Sequence, residues 1–326
     1  MSARGEIISV VVLGYNCFAE TTGRCLASIA EDPGFSSWDV VLVDNGSDAT
    51  NRAAFAEAKR RIPALKLVRL DQNAGYPGGM NAGLRAAAGD PLILVTSDVL
   101  IPPGTVGRLA SILRSNPRAG MVAPVSNAAG NEQQIFVQPG LPVAEILRQG
   151  REFAAAGDSG LLRAYRIDMY VVALARAVYD AIGGLDESYI PGYYDDFDYS
   201  LKASKAGFDL LVAETAFVYH EGGATFGRAS KEKKALIARN KQRFLETHGS
   251  DTPLPHIRDC NLAMLRQYAE AAEAGAPPPP LRIANRLKLA ELTMPRGLLK
   301  RWRYRTDLAA VSARLSRFAN VQNAET

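Results

Sequence analysis

Carboxylates, amides and one histidine of this chain fall repeatedly at the ends of short apolar runs, where side chains leave a sheet and can meet a ligand. Tyr15-Asn16 follows Ile7–Leu13, and Asp44-Asn45-Gly46-Ser47 follows Val40–Val43. Ligands of an open parallel sheet bind beyond the carboxyl ends of its strands, and an acid after the second strand can accept hydrogen bonds from a ribose or a base. Such residues also make turns and cap helices, so both roles stay open for Asp44 and Asn45. After the third run, Asn73 to Gly83 carries Gly75, Gly78, Gly79 and Gly83. Glycines at a helix start let backbone N–H groups approach an anion such as a diphosphate; close helix–strand packing is the competing reading for Gly79 and Gly83. The spacing is neither the dinucleotide fingerprint nor a P-loop.

Three further clusters complete the set. Thr96-Ser97-Asp98 ends a fourth apolar run, where a carboxylate beside a diphosphate suits a hard divalent cation, or simply caps a turn. Asp195, Asp196 and Asp198 crowd after Tyr193-Tyr194. Their repulsion can raise the pKa of some members and poise one as a base; acids at the positive end of a helix are the bland alternative. His220, in Val218-Tyr219-His220-Glu221-Gly222-Gly223, is placed to complete a metal site begun by Asp98, or to be a hydrogen-bonded structural histidine. His248 and His256 show no such context.

The elements needed to position these groups are legible as alternating apolar runs and helical stretches, the pattern of an α/β, doubly wound, mostly parallel sheet. Strands are expected at Ile7–Leu13, Val40–Val43, Leu65–Leu70 and Leu92–Thr96. Helices are expected at Thr21–Ala30, Ala49–Arg61, Gly78–Ala88 and Thr105–Ser115. Polar Ser126 to Gly140 reads as an irregular crossing before a second strand and helix region from Tyr165 to Tyr219. The composition shifts after His248-Gly249-Ser250, which divides the chain into 1–250 and a helical extension, 251–326. Pro277–Pro280 is expected to separate the end of that extension from what precedes it.

The 326 residues are 47% apolar and 22% charged, enough to build a full core and to exclude wholesale disorder. Cys17, Cys25 and Cys260 are too few for a disulfide scaffold or a four-cysteine zinc site, which favours a reducing compartment. No stretch reaches the roughly 18 apolar residues of a membrane span, and the run behind Arg4 and Glu6 is short for a signal peptide. Net charge is +4, yet residues 281–326 hold ten cations against three acids, a net +7 that leaves −3 for the remainder. A basic tail on an acidic body points to an anionic partner such as a membrane surface; a solvated or packed helix competes with that reading. Nucleic-acid binding has only charge in its favour, with no recognised motif.

In this order and spacing the clusters, joined by Gly183-Gly184-Leu185-Asp186-Glu187, resemble the family 2 glycosyltransferases, especially bacterial polysaccharide-assembling, rhamnosyltransferase-like members. The resemblance covers residue 6 to about 248. It implies a GT-A fold, a Rossmann-like sheet flanked by helices, and inverting transfer of a sugar from a nucleotide diphosphate donor, UDP- or dTDP-linked, to a saccharide or lipid-linked acceptor. Carried onto this chain, it assigns donor binding to Tyr15, Asn16, Asp44, Asn73, Gly75, Gly79, Asn81, Ser97 and Asp98. It makes Asp196 the base, with Asp195, Asp198 and Tyr194 supporting the acceptor side, and gives Mn2+ or Mg2+ to Asp98 and His220. Two departures stand out: Val99-Leu100 follow Asp98 where the family often has a further acid, and Asp195-Asp196 replaces its Glu-Asp pair. The implied location is cytoplasmic, at the inner face of the membrane through 282–318; the sequence leaves the oligomeric state open. A sugar-nucleotide nucleotidyltransferase would instead need a basic loop after the first strand, where this chain has Gly14-Tyr15-Asn16-Cys17-Phe18. A non-catalytic carbohydrate- or partner-binding protein would have no use for Asp98, Asp196 and His220 together.

Overall fold

The computed structural model describes residues 7–222 and 231–322. Its first half is four parallel strands, β1 (Ser9–Gly14), β2 (Asp39–Asp44), β3 (Lys66–Arg69) and β4 (Leu92–Thr96), arranged 3-2-1-4. Helices α1 (Thr22–Ala30), α2 (Ala49–Arg61) and α3 (Gly75–Ala86) cover the two faces of this half. Strands covered on both faces are near-continuous apolar runs, and every residue of Ser9–Gly14 is buried. Alternate residues point to opposite layers: Val11, Val41, Val43 and Leu94 to one core, Val10, Val12, Val40 and Leu42 to the other.

The order in which strands are added reverses at β1, with β2 on one side of it and β4 on the other. That is a topological switch point, and its crevice lies outside the carboxyl ends. The register brings those ends level: Gly14 sits opposite Asp44, and Leu13 opposite Thr96. Beyond them come the two-residue β5 (Val99–Leu100), α4 (Thr105–Ser115) and β6 (Ala119–Ser126). Then follow α5 (Val143–Ala155), β7 (Leu161–Arg163), β8 (Val171–Leu174), α6 (Arg176–Ile182), α7 (Asp195–Lys205) and β9 (Asp209–His220). β8 lies antiparallel between β4 and β6, while β9 runs parallel to β6 and antiparallel to β5 and β7. Parallel pairing is thus complete in the first half and mixed in the second. The Ser126–Gly140 crossing is held by its own buried amides: Asn131 and Gln133 bond each other and the backbone of Arg166 and Asp168.

Helices α8 (Lys231–His248), α9 (Ile257–Glu273), α10 (Pro280–Leu292) and α11 (Leu298–Gln322) complete the described chain. Leu265 and Tyr268 of α9, Ala290 of α10 and Tyr304, Leu308, Val311 and Leu315 of α11 join the same apolar cluster as Val11 and Met121 of the sheet. Two expectations about this region change. Pro280 opens α10 at its first position, where its missing N–H costs nothing, so the prolines lead into a docked helix and not into a detached tail. Arg282 and Arg286 are fully buried and contribute nothing to a surface charge. Arg282 donates to the carbonyls of Phe153, Ala154, Gly157 and Ser159 around the end of α5. Arg286 meets Glu214 of β9 at 2.7 Å, and the Tyr268 hydroxyl donates to the other Glu214 oxygen at 2.5 Å.

Candidate active site

A cavity of about 630 Å³ opens beyond the carboxyl ends of β1, β2 and β4. Of the sequence-derived residues, Tyr15, Asn73, Gly75, Ser97, Asp98, Tyr194, Asp195, Asp196 and His220 line it. A larger cavity of about 760 Å³ lies between α4 and the α9–α10 connection, but its buried charged side chains, Arg282 and Glu214, are already fully partnered. The chemistry belongs to the first.

The Asp98–His220 pair is made by strand pairing. β5 and β9 place Val99 opposite His220, which brings the imidazole Nε2 to 3.4 Å from Asp98 Oδ2. His220 Nδ1 lies 2.7 Å from the Ala128 carbonyl, an acceptor only, so Nδ1 carries the proton and Nε2 is turned to Asp98. Thr96 donates to the other Asp98 oxygen at 2.7 Å, and Tyr170 stacks on the imidazole at 4.7 Å. Burial works against charge on both members. The hydrogen bond and charge between them outweigh it, holding His220 above its ordinary pKa and Asp98 below. A carboxylate oxygen facing an imidazole nitrogen whose partner nitrogen is committed elsewhere is a donor set that fits a divalent cation. No three His, Cys, Asp or Glu side chains converge among the described residues, so protein would supply two ligands and leave room for diphosphate oxygens and water.

The acid cluster separates by direction. Tyr193 and Tyr194 both have φ of 70°, a left-handed conformation rare for such residues, and this turn starts α7 at Asp195. Asp195 is buried. Desolvation first, then the charge of Asp196, pushes its carboxyl well above the usual range. Asp196 Oδ2 takes a 2.7 Å bond from Arg166 Nη1, and Oδ1 accepts the Phe197 N–H at 2.9 Å. Arg166 also pairs with Asp168, donates to the Gly130 carbonyl and lies 4.1 Å over the Phe197 ring. Asp198 does not reach the cavity. It is fully buried, bonded to His248 at 2.7 Å and to Lys202 at 2.7 Å, so it anchors α7 to α8 and gives His248 a role its sequence context did not show.

Other expected contacts are structural. Asn16 bridges the ends of β1 and β2, through the Ser47 hydroxyl and the Asp48 N–H. The Asn81 side chain is spent on both backbone groups of Leu185 and on Glu187. Gly79 packs α3 on the sheet: a Cβ there would stand 2.5 Å from Leu13 and 3.1 Å from the Asn45 side chain. Gly83 does the same against Val11. Asp44 is fully buried beneath Asn45, which forms the wall in its place. Its Oδ1 accepts the Ser47 N–H, and its Oδ2 has no partner within the protein. Gly223, quoted with the His220 cluster, lies outside the described residues.

Sequence reasoning missed Arg166, Asp168 and Tyr76. Arg166 and Asp168 sit two apart just before β8, a spacing that puts both on one side of extended chain. That alternation of opposite charges ahead of a wholly apolar strand was the available signal. Tyr76, whose hydroxyl donates to the Met169 carbonyl at 2.7 Å, ties α3 to the same segment.

The switch point of the sheet thus lies under a cavity that holds an Asp–His pair and an Arg-clamped aspartate. Residues 9–168 match the model of Glycosyl transferase family 2. An N-acetylglucosaminyltransferase of Mesorhizobium japonicum is 30% identical over 156 residues, 47% of this chain and 36% of that protein. An N-acetylglucosaminyl-diphospho-decaprenol L-rhamnosyltransferase of Mycobacterium tuberculosis is 27% identical over 235 residues, 63% of this chain and 73% of that one. The chain thus spans about a third of the first relative's length, and only 25% of a Sinorhizobium fredii protein it also matches. Among solved structures, a mannosyltransferase from Pyrobaculum calidifontis in complex with GDP-Man and Mn2+ superposes with a TM-score of 0.55. It is 19% identical and covers 94% of this chain and 86% of its own. The fold is the GT-A fold.

Proposed function

We propose that the chain is an inverting glycosyltransferase, with residues 1–250 carrying the chemistry and 251–326 bracing them. The donor is a nucleotide diphosphate sugar, UDP- or dTDP-linked, and the acceptor a saccharide or lipid-linked hydroxyl in bacterial surface polysaccharide or glycolipid assembly. A lipid-linked acceptor places the work at the inner face of the cytoplasmic membrane. The observation that carries this reading is one cavity in which the Asp196 carboxylate and the Asp98–His220 pair both stand, above the switch point.

Asp196 accepts the proton of the acceptor hydroxyl as that oxygen attacks the anomeric carbon from the face opposite the diphosphate. The new C–O bond forms while the bond to the diphosphate oxygen breaks, and the nucleoside diphosphate departs. Arg166 orients the carboxylate, and burial of Asp195 behind it disfavours a second negative charge there. General-base catalysis contributes about 10²–10⁴-fold, so the leaving group must be stabilised too. A Mn2+ or Mg2+ ion held by Asp98 and His220 would neutralise charge on the departing diphosphate. Asn73, Gly75 and Ser97 line the donor side, and a ribose or base contact to the buried Asp44, whose Oδ2 has no protein partner, would require Asn45 to move aside.

Thermal-shift screening of UDP-, dTDP- and GDP-sugars with and without Mn2+ identifies the donor. Stabilisation by one nucleotide family that deepens with metal is the expected result; no response to any of them defeats the reading.

A further inference from the structure

The surface at the α10–α11 corner combines exposed large apolar side chains, which are costly to leave in water, with a cluster of cations that no acid neutralises. Leu292, Leu298, Leu299 and Trp302 are 60%, 89%, 63% and 65% exposed. Around them stand Arg296, Lys300, Arg301, Arg303 and Arg305, with no acid from Leu292 to Thr306. All five cations are exposed and, among the described residues, none is in an ion pair; the pairs of α11 are Asp307 with Arg266 and Arg314 with Glu273, further along.

Helical spacing sorts these groups. Tyr304, Leu308, Val311 and Leu315 form the buried stripe that docks α11 on α9 and α10. Leu298, Leu299 and Trp302 fall on the opposite side, and Arg303 and Arg305 flank them to left and right. Apolar residues at the start of a docked helix normally face inward; here the inward face is already filled by other residues. No helix among the described residues is long and apolar enough to cross a membrane.

We propose that this corner is a docking surface for an anionic phospholipid bilayer, with Trp302, Leu298 and Leu299 entering the headgroup boundary and the five cations meeting lipid phosphates. An exposed tryptophan beside leucines suits the interface, where one side of the ring is apolar and the N–H stays wet. The ring of unpaired cations selects this occupant over a second copy of the chain, whose same patch would bring five cations against five. Each cation near an anionic leaflet strengthens binding about fivefold. The proposal sharpens the location stated above and rests on it only for which membrane is met; the contact itself requires neither donor nor acceptor.

The test is co-sedimentation of the full chain with vesicles of phosphatidylcholine alone and with phosphatidylglycerol added, at low and moderate salt. Wild type is expected on the anionic vesicles only, with binding weakened by salt. R301E/R303E and L298S/W302S should each lower apparent affinity at least tenfold with little change in melting temperature, because these side chains are exposed. Asp196→Asn should bind like wild type, which separates membrane contact from catalysis. Equal binding to neutral vesicles, unaltered binding by both double variants, or a dimer that either variant converts to monomer would overturn the proposal.

Discussion

Two places in the molecule bury acids beside arginine, and they are arranged in opposite ways. At Glu214 both carboxylate oxygens are taken, by Arg286 and Tyr268, and Arg286 also donates to the carbonyls of Glu132 and Gln134. That network borders the larger cavity, yet both Glu214 oxygens are already bonded and its side chain is fully buried. At Asp196 Arg166 holds one oxygen and the Phe197 N–H the other, but the side chain is 21% exposed and the carboxylate stands at a cavity wall. A fully buried pair holds elements together; a part-exposed one at a cavity wall can still reach a partner that enters the cavity. The same residue types therefore serve as a brace on β9 and as a reactive group on α7.

Substitutions can break or sharpen this contrast. The largest effect is expected for Asp196→Asn, a loss of about 10²–10⁴-fold in transfer. Donor binding by calorimetry and the melting temperature should stay close to wild type; substantial residual transfer would remove Asp196 from its role. Glu214→Ala should do the reverse. Removing one partner of a buried pair costs about 3–5 kcal/mol, which lowers the melting midpoint on the order of 5–10 °C while the turnover of folded protein changes little. Arg166→Lys keeps the charge but loses the planar fork, and a misaimed carboxylate should slow transfer by about ten- to a hundredfold in kcat with little change in donor KM.

The smallest effect concerns Asp195, and its sign follows from linkage. The folded-state carboxyl lies above its unfolded value, so the folded protein holds that proton more tightly. Its contribution to stability therefore falls as pH rises from the ordinary carboxylate range through the raised value. Asp195→Asn removes this slope. The variant should melt at the same temperature as wild type or up to about 2–4 °C higher at neutral pH, with a flatter pH profile by calorimetry. A lower midpoint would mean that Asp195 is ionised and structurally paired.

Much of the framework was legible beforehand. α2, α4 and β4 occur at the expected residues, because apolar runs, a capping Asp48 and the Pro102-Pro103-Gly104 turn are local signals. α3 begins at Gly75, three residues earlier than expected, since glycine's poor helix propensity is overridden where Gly79 and Gly83 must lie against the sheet. Within the site, Asp98, Asp196 and His220 were found from their places at element ends. Arg166 was not: its partner Asp196 is 30 residues away along the chain. Nor was His248, 50 residues from Asp198.

By itself the sequence determined where strands and helices alternate and which acids, amides and glycines stand at their ends, because periodicity and turn chemistry act over a few neighbouring residues. Only the tertiary structure decided that Arg282 and Arg286 are internal, that Asp198 faces His248 and that Asp196 faces the cavity. Those outcomes depend on strand order and register, which bring together groups far apart in the chain, and a charged side chain's role is set by what it is brought to meet.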